Sequence, residues 1–318
     1  MVRRSFLGRL LAALGISSLT GVTHADPPPP QKPVDMDRVR AQMALEAKQR
    51  ADEVAKAFSF PLTIVPGQDA LATFEQLKKA GRGTPVVLGG DDSFTQVADT
   101  MTMATTQPNG PPEPSPQQIV AKAMTYATLD DALTRTRTEE REQMKLGIQK
   151  RLKDLPPEKQ ASLVALLAQL DQEDAQTPEL GQWPPSDAQL APPPLFSARD
   201  TLTNRWLERV YIATLPTHDA TEAPAWLHWG GWNDCPAPEV HVKALREWRD
   251  AYGAEVVALC GDVLELRVKR RPKTREQALT LARQIYRYCP DSVDQGTETL
   301  APLAAIFMTS DWWWLWWD

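Results

Sequence analysis

The sequence DWWWLWWD at the end of the chain limits the possible fold more than any other stretch. Residues 312–317 hold five of the eleven tryptophans. Successive side chains of a β-strand point to opposite faces, so both faces of this strand would be apolar. The pattern predicts a strand inside a sheet that is covered on both faces, with Asp311 and Asp318 at its ends. An exposed aromatic binding face is the alternative; a membrane belt would need a spanning segment beside it, and the sequence shows none.

Composition and charge exclude some classes of partner. Apolar residues make up 42% and charged residues 24% of the 318 residues, which is typical of a folded soluble protein. The formal net charge is -6. Binding to a phosphate backbone needs clustered Lys and Arg that displace counterions. The composition therefore predicts no nucleic-acid partner.

The beginning of the chain has the pattern of an export signal. Arg3 and Arg4 precede a short apolar run that ends before Ala25, and a spanning helix needs about 20 apolar residues. We expect cleavage near Ala25, a periplasmic or secreted protein, and no membrane span in the mature form. The arginine pair followed by Ser, Phe and Leu resembles a twin-arginine signal. Gly8 stands where that motif often has lysine, so the general secretory route stays open.

The three cysteines would meet an oxidising compartment after export. An odd number leaves one pair and one thiol as the simplest arrangement. Cys235 and Cys289 are each followed by proline, whereas Cys260 ends the apolar run VVALC. The contexts predict a Cys235–Cys289 disulfide and a buried Cys260.

Shifts in composition divide the chain into five segments. A signal peptide, residues 1–25, precedes a proline-rich spacer and a helix, residues 26–58. Strand–helix units follow in residues 59–104, and an α/β module closes the chain in residues 196–318. Between them, residues 105–195 form a helical insertion bounded by prolines. The order predicts an α+β fold: a mixed β-sheet covered by helices, with a helical insertion between two α/β segments.

The insertion carries two predicted helices, residues 129–155 and 157–173. The second has a leucine-rich stripe that needs a partner surface. An antiparallel pair is expected, which either binds a partner as an arm or caps the core as a solvated hairpin.

Regular periodicity predicts the elements on both sides of the insertion. Strands are expected at residues 62–65, 85–88 and 207–215, and two more about the Gly261-Asp262 turn. Helices are expected over 34–58, 94–101 and 240–252, and from a cap at Thr274 to Tyr288.

Four stretches together resemble a known family. They are HWGGWNDCPAPEVHVKALREW, YGAEVVALCGDVLELRV, YCPDSVDQGTETL and WWLWWD. This combination resembles the bacterial family DUF4253, a domain of unknown function, strongly over residues 196–318 and in patches over 58–103. The resemblance implies a mixed α/β module and supplies no catalytic residues. Family members commonly look cytosolic, so the export signal is a departure.

The loop GGWNDCP is the best candidate for a binding site. Paired glycines allow a close backbone approach, and polar side chains follow at once. Its candidate binding residues are Gly230, Gly231, Trp232, Asn233 and Asp234. The alternative is a tight turn whose polar side chains satisfy neighbouring backbone groups, with Trp232 as part of the core.

Enzyme-like arrangements can be written around the same loop. Cys235 could act as a nucleophile with His241 as base and Asp234 or Asp291 orienting the imidazole. Asp291 and Asp294 could perform acid–base work, or cap the turn before Thr297.

A metal site is the weaker arrangement, because the spacing of its ligands matches no standard zinc pattern. The possible ligands are Cys235, His228, His241 and Cys289. We expect no metal and no cofactor.

These patterns favour a non-enzymatic binding or interaction module of the cell envelope. Its partner would be an unknown protein or envelope component, contacted through the GGWNDCP loop and the helical insertion. Toxin neutralisation is one form of such a role, by general analogy with small bacterial α/β modules. The alternative is a hydrolase or metal-dependent enzyme centred on Cys235 and Asp291.

Overall fold

The computed structural model describes residues 36–105, 113–152, 178–185 and 191–318. Two predictions lie outside these residues: the signal peptide at residues 1–25 and the second helix of the insertion at 157–173. Strands and helices are numbered below in chain order.

One six-stranded mixed sheet organises the structure. Its strands are β1 (Leu62–Val65), β2 (Thr84–Gly89), β3 (Val210–Leu215), β4 (Glu255–Leu259), β5 (Val263–Arg267) and β6 (Trp312–Trp316). Their order across the sheet is β1-β3-β2-β4-β5-β6. Only the β2–β4 pair is parallel; the other neighbouring strands are antiparallel.

Helices accompany the sheet on both faces, which confirms the predicted α+β class. The α-helices are α1 (Met36–Ala57), α2 (Gly67–Ala80), α3 (Asp91–Thr105), α4 (Pro116–Ala123), α5 (Leu129–Leu152), α6 (Ala223–Trp226), α7 (Pro238–Tyr252), α8 (Arg275–Tyr288) and α9 (Leu300–Thr309). A π-helix (Ser292–Thr297) and 3-10 turns at Phe196–Ala198 and Ala220–Glu222 complete the described elements.

The chain divides into two compact units. The larger comprises residues 50–138 and 177–318 and contains the whole sheet. The smaller comprises residues 1–49 and 139–176, and its described part consists of helical residues. No helix within the described ranges is long and apolar enough to cross a membrane.

Local signals set the ends of several helices. Thr274 caps α8 by accepting a hydrogen bond from the Gln277 N–H, as its position before the helix predicts. Gly253 ends α7 with a φ of 64° in the left-handed region, where glycine meets no steric cost.

Each face of the sheet has its own hydrophobic core. The major core, which packs against α3, α7, α8 and α9, includes Phe94, Trp248, Ile285, Phe307 and Trp313. The minor core, which packs against α2 on the opposite face, includes Phe74, Leu195, Val257 and Trp312. This arrangement covers much of the sheet on both faces, as the apolar strands predict.

The first part of the predicted insertion packs into the larger unit. Ile119 and Ala123 of α4 are buried against Ala225 and Val242. The α5 N-terminus is fastened by a hydrogen bond from the Leu129 N–H to the Glu247 carboxylate, 2.8 Å. Residues 116–133 therefore contribute to the core of this unit instead of projecting from it as a separate arm.

The tryptophan-rich tail forms β6, as predicted, but at the edge of the sheet instead of inside it. Trp313, Leu315 and Trp317 are almost fully buried in the major core. On the opposite face Trp312 is buried, whereas Trp314 and Trp316 remain half-buried. The prediction of an interior strand is wrong because no further strand pairs with β6 in the described chain.

A buried carboxylate fixes the segment that crosses the minor face. Glu265 on β5 is fully buried and accepts hydrogen bonds from the Phe196 N–H, the Ser197 N–H and the Ser197 hydroxyl, at 2.8, 3.0 and 2.7 Å. Burial raises the pKa of Glu265, and these donors oppose that rise. The three bonds hold residues 195–198 against the sheet.

Replacing this carboxylate should loosen the segment. We expect Glu265→Ala to lower the free energy of unfolding by about 2–4 kcal/mol, because it leaves buried donors without an acceptor. Glu265→Gln keeps a side-chain oxygen and should cost less. Urea denaturation of both variants measures the difference, and equal, near-zero effects would contradict the assigned role.

Candidate functional site

The GGWNDCP loop is a tight turn closed by its own backbone. Gly230 and Gly231 have φ angles of 116° and 84°, and Asn233 has a φ of 46°. A Cβ atom on Gly230 would lie 2.3 Å from the Pro236 carbonyl oxygen, so a side chain cannot be placed there without displacing the backbone. The Gly231 N–H donates to the same carbonyl, 2.8 Å. Backbone geometry thus accounts for both glycines.

The side chains of this loop divide between core and surface. Trp232 is half-buried and packs edge-on against Trp229, with ring centroids 5.1 Å apart. Asn233 and Asp234 are exposed, and the Asn233 side-chain amide donates to the Asp318 carbonyl oxygen, 2.8 Å. The loop therefore lies beside the end of β6.

The structure brings Cys235 and His241 together. The Cys235 Sγ lies 3.4 Å from His241 Nε2, and the Tyr288 hydroxyl hydrogen-bonds to His241 Nδ1. Tyr288, not an aspartate, therefore occupies the orienting position. This contact was missed because residues 241 and 288 lie on different helices, and no local pattern joins them.

Burial leaves this cluster poorly suited to nucleophilic chemistry. Cys235 is 4% exposed and His241 is fully buried. Burial raises the pKa of Cys235 well above its ordinary value and lowers the pKa of His241 to about 3. A nucleophilic thiol needs the opposite shift and a path to substrate. Cys235, His241 and Tyr288 thus form a neutral, buried polar contact.

The other candidate residues do not join this cluster. Asp291 accepts hydrogen bonds from the Asp318 N–H and the Gln295 amide, both at 2.9 Å, and so lies at the end of β6. His228 is half-buried with its pKa lowered by burial. No group of three or more His, Cys, Asp or Glu in the described residues has metal-binding geometry.

All three cysteines are free and buried in the structure, so the predicted Cys235–Cys289 disulfide is not formed there. The pairing was inferred from flanking prolines, which report loop character but give no sulfur–sulfur distance. The Cys289 thiol instead donates to the Trp316 carbonyl oxygen, 3.0 Å, and accepts from the Ser292 hydroxyl, 3.1 Å. Burial raises its pKa to about 12. The burial predicted for Cys260 is confirmed.

An aromatic cleft beside β6 brings together residues that no motif in the sequence connects. It has a volume of about 370 Å³. Three parts of the chain form it: the segment before and at the first 3-10 turn, the π-helix with α9, and β6. The lining residues are Ala191, Pro192, Phe196, Ser292, Gly296, Thr297, Leu303, Ile306, Phe307, Trp314 and Trp316.

The positions of the aromatic side chains in the cleft are determined by β5, β6 and the buried carboxylate of Glu265. Trp314 and Trp316 share a face of β6, with ring centroids 6.0 Å apart. Phe196 packs edge-on against Trp314, with centroids 5.8 Å apart. Its backbone is held by Glu265, which lies opposite Trp314 in the β5–β6 register. The only signal in the sequence was Glu265, a carboxylate between two leucines of the strand VLELR.

The polar groups of the cleft wall are already hydrogen-bonded. The Ser292 hydroxyl donates to Cys289, and the Thr297 hydroxyl donates to the Thr299 carbonyl oxygen, 2.9 Å. The side chains thus offer an occupant mainly apolar contact. The volume of the cleft lies near the lower end of the range of small-molecule clefts, about 300–1,000 Å³.

The low pKa of His241 predicts a pH effect on stability. The folded chain holds the imidazole neutral, whereas the unfolded chain protonates it below about pH 6.5. The contribution of the neutral imidazole to the free energy of unfolding is therefore fully present above about pH 6.5. The free energy of unfolding then falls by up to about 1.4 kcal/mol per pH unit as the pH drops toward 3. Urea denaturation should show this fall in the wild type and a shallower one in His241→Gln.

An NMR titration of the His241 ring supplies a check that needs no variant. Its ring signals should not titrate near the ordinary histidine pKa of about 6.5. A midpoint there would contradict the buried neutral imidazole.

Comparison with known proteins finds a family that is similar to the C-terminal part of the chain. No curated protein and no solved structure matches the chain. The family whose description reads "Domain of unknown function (DUF4253)" matches residues 211–318, which include β3 to β6, the GGWNDCP loop and two of the three cleft walls. The match does not extend to residues 58–103. Residues 211–318 are therefore similar to the DUF4253 family, as the motifs in the sequence indicate.

Proposed function

We propose that the protein is a non-enzymatic binding module whose contact site is the aromatic cleft beside β6, with the GGWNDCP loop at its rim. The observation that carries this proposal is the half-buried state of Trp314 and Trp316 in a cleft of about 370 Å³. A large aromatic side chain that is partly exposed loses more hydrophobic stabilisation than most other side chains do. Partial exposure of these two tryptophans therefore favours a role in binding a partner.

The cleft and the loop are linked through the last residues of the chain. Trp316 lines the cleft, and two residues later Asp318 accepts a hydrogen bond from Asn233. The Asp318 N–H also donates to Asp291, next to the π-helix that forms a cleft wall.

A location in the cell envelope is part of the proposal. It rests on the arginine pair and apolar run in residues 1–25, which are typical of an export signal. An unknown protein or envelope component would then be the partner.

Binding by the cleft can be tested with Nile red, a neutral apolar dye that fluoresces in apolar sites. The full chain should bind it at one saturable site. Trp314→Ala should weaken binding at least tenfold, about 1.4 kcal/mol, because it removes a cleft wall. Trp206→Ala is the matched control, since Trp206 is 41% exposed and lies outside the cleft lining. Equal affinities in the two variants would overturn the proposed site.

The competing hydrolase is favoured only by the 3.4 Å contact between Cys235 and His241. Its test is alkylation by iodoacetamide with mass-spectrometric mapping. We expect Cys235 to react in denaturant and to remain unmodified in the native protein, because it is buried and its pKa is raised. Rapid alkylation of Cys235 in the native protein would favour the hydrolase over the binding module. If the protein is a binding module, Cys235→Ser should leave Nile red binding unchanged.

A further inference from the structure

We propose that the cleft binds an extended peptide segment of a partner protein, which adds to the sheet as a strand beside β6 and places a basic side chain at the Asp318 end. This inference rests on the proposed binding function and identifies the class of partner. The backbone of β6, the apolar cleft wall and the charges at one end support it.

The register of β5 and β6 shows which backbone groups face outward. The Trp317 N–H donates to the Asp262 carbonyl, and the Val268 N–H donates to the Asp311 carbonyl. In an antiparallel pair the hydrogen-bonded residues alternate with residues whose N–H and C=O point away. The backbone N–H and C=O groups of Trp313 and Leu315 therefore bond to β5. Those of the even-numbered residues of β6 face the open edge.

Both ends of this outer edge are occupied by side chains. The Ser310 hydroxyl bonds to the N–H and the carbonyl of Trp312, at 3.0 and 2.8 Å. The Cys289 thiol donates to the Trp316 carbonyl. Within the described chain, the N–H and C=O of Trp314 and the N–H of Trp316 have no such partner. A short row of backbone groups is thus left open between two closed ends.

An extended peptide satisfies these groups. In an antiparallel arrangement the residue opposite Trp314 would donate its N–H to the Trp314 carbonyl and accept from the Trp314 N–H. Its side chain would point to the Trp314 face, where Phe196 packs, and the side chains of its neighbours would point to the other face, on the side of Ile306. Main-chain bonds combined with pockets for alternate side chains are the general pattern of strand addition to a sheet edge.

Charge defines one end of the site. Asp291 and Asp318 lie together beyond Trp316, and the pKa of Asp262 is raised by burial and by the charge of Asp318. No Lys or Arg of the described residues forms an ion pair with any of these three carboxylates. A Lys or Arg side chain on the peptide would be complementary to this end.

The test is selection of binders from a displayed library of random heptapeptides on the full chain. We expect enriched sequences with apolar residues at alternate positions and a Lys or Arg at one end. Trp314→Ala should lower their affinity at least tenfold, whereas the exposed control Trp206→Ala should not. Failure to enrich peptides that require Trp314 would overturn the inference.

N-methylation of successive amides in a selected peptide tests for strand pairing directly. Methylation removes one donor, so affinity should fall at least tenfold at the one position whose N–H pairs with the Trp314 carbonyl and change little at its neighbours, because the Trp312 and Trp316 carbonyls already have donors. A uniform or absent effect would contradict strand addition, since a peptide bound only by its side chains has no single amide on which its affinity depends.

Asp318→Asn tests the charged end. The affinity for a selected peptide that carries a Lys or Arg should fall roughly two- to fivefold at low salt. This loss should be smaller at high salt. The matched control is Asp69→Asn on α2, which should leave the affinity for the peptide unchanged. An equal loss in both variants, or none in Asp318→Asn, would remove the basic residue from the proposal.

Two outcomes separate this inference from the proposed function. Nile red binding that depends on Trp314, without any peptide binding, would leave the cleft as a small-ligand site and overturn strand addition. A stable dimer in sedimentation that Trp314→Ala dissociates would make the occupant a second copy of this chain and would also overturn it.

Discussion

The antiparallel pairing of β6 with β5 is the interaction on which the rest of the structure depends. Its register places Trp313, Leu315 and Trp317 in the major core and leaves Trp314 and Trp316 on the opposite face. A slip of one residue would exchange these two sets of side chains between the faces. The same pairing therefore determines both the closure of the core and the chemistry of the cleft.

The two faces of this strand are stabilised in different ways. Trp313 is enclosed by apolar and aromatic side chains, including Trp248 and Phe307. Opposite Trp314, by contrast, the fully buried carboxylate of Glu265 on β5 holds the crossing segment that carries Phe196. A polar group at this depth is tolerated because three donors converge on it. The segment and the strand together give the cleft fixed walls before any occupant arrives, which lowers the entropic cost of binding.

Elements that depend on local periodicity or capping were predictable from the sequence. The strand at residues 62–65, the cap at Thr274 and the strand character of the tail all follow from such local patterns. The cleft was not predictable, because its walls come from parts of the chain that are distant in sequence. The edge position of β6 was missed for a related reason: apolar residues on both faces of a strand say nothing about whether another strand lies beside it.

Amide hydrogen exchange along β6, measured by NMR on the full chain, tests the account most directly. We expect slow exchange for Trp313, Leu315 and Trp317, whose N–H groups face β5, and much faster exchange for Trp314, whose N–H faces the open edge. Protection of the Trp314 amide equal to that of Trp313 would show that the edge is already paired, and it would contradict both the assigned register and the open binding edge.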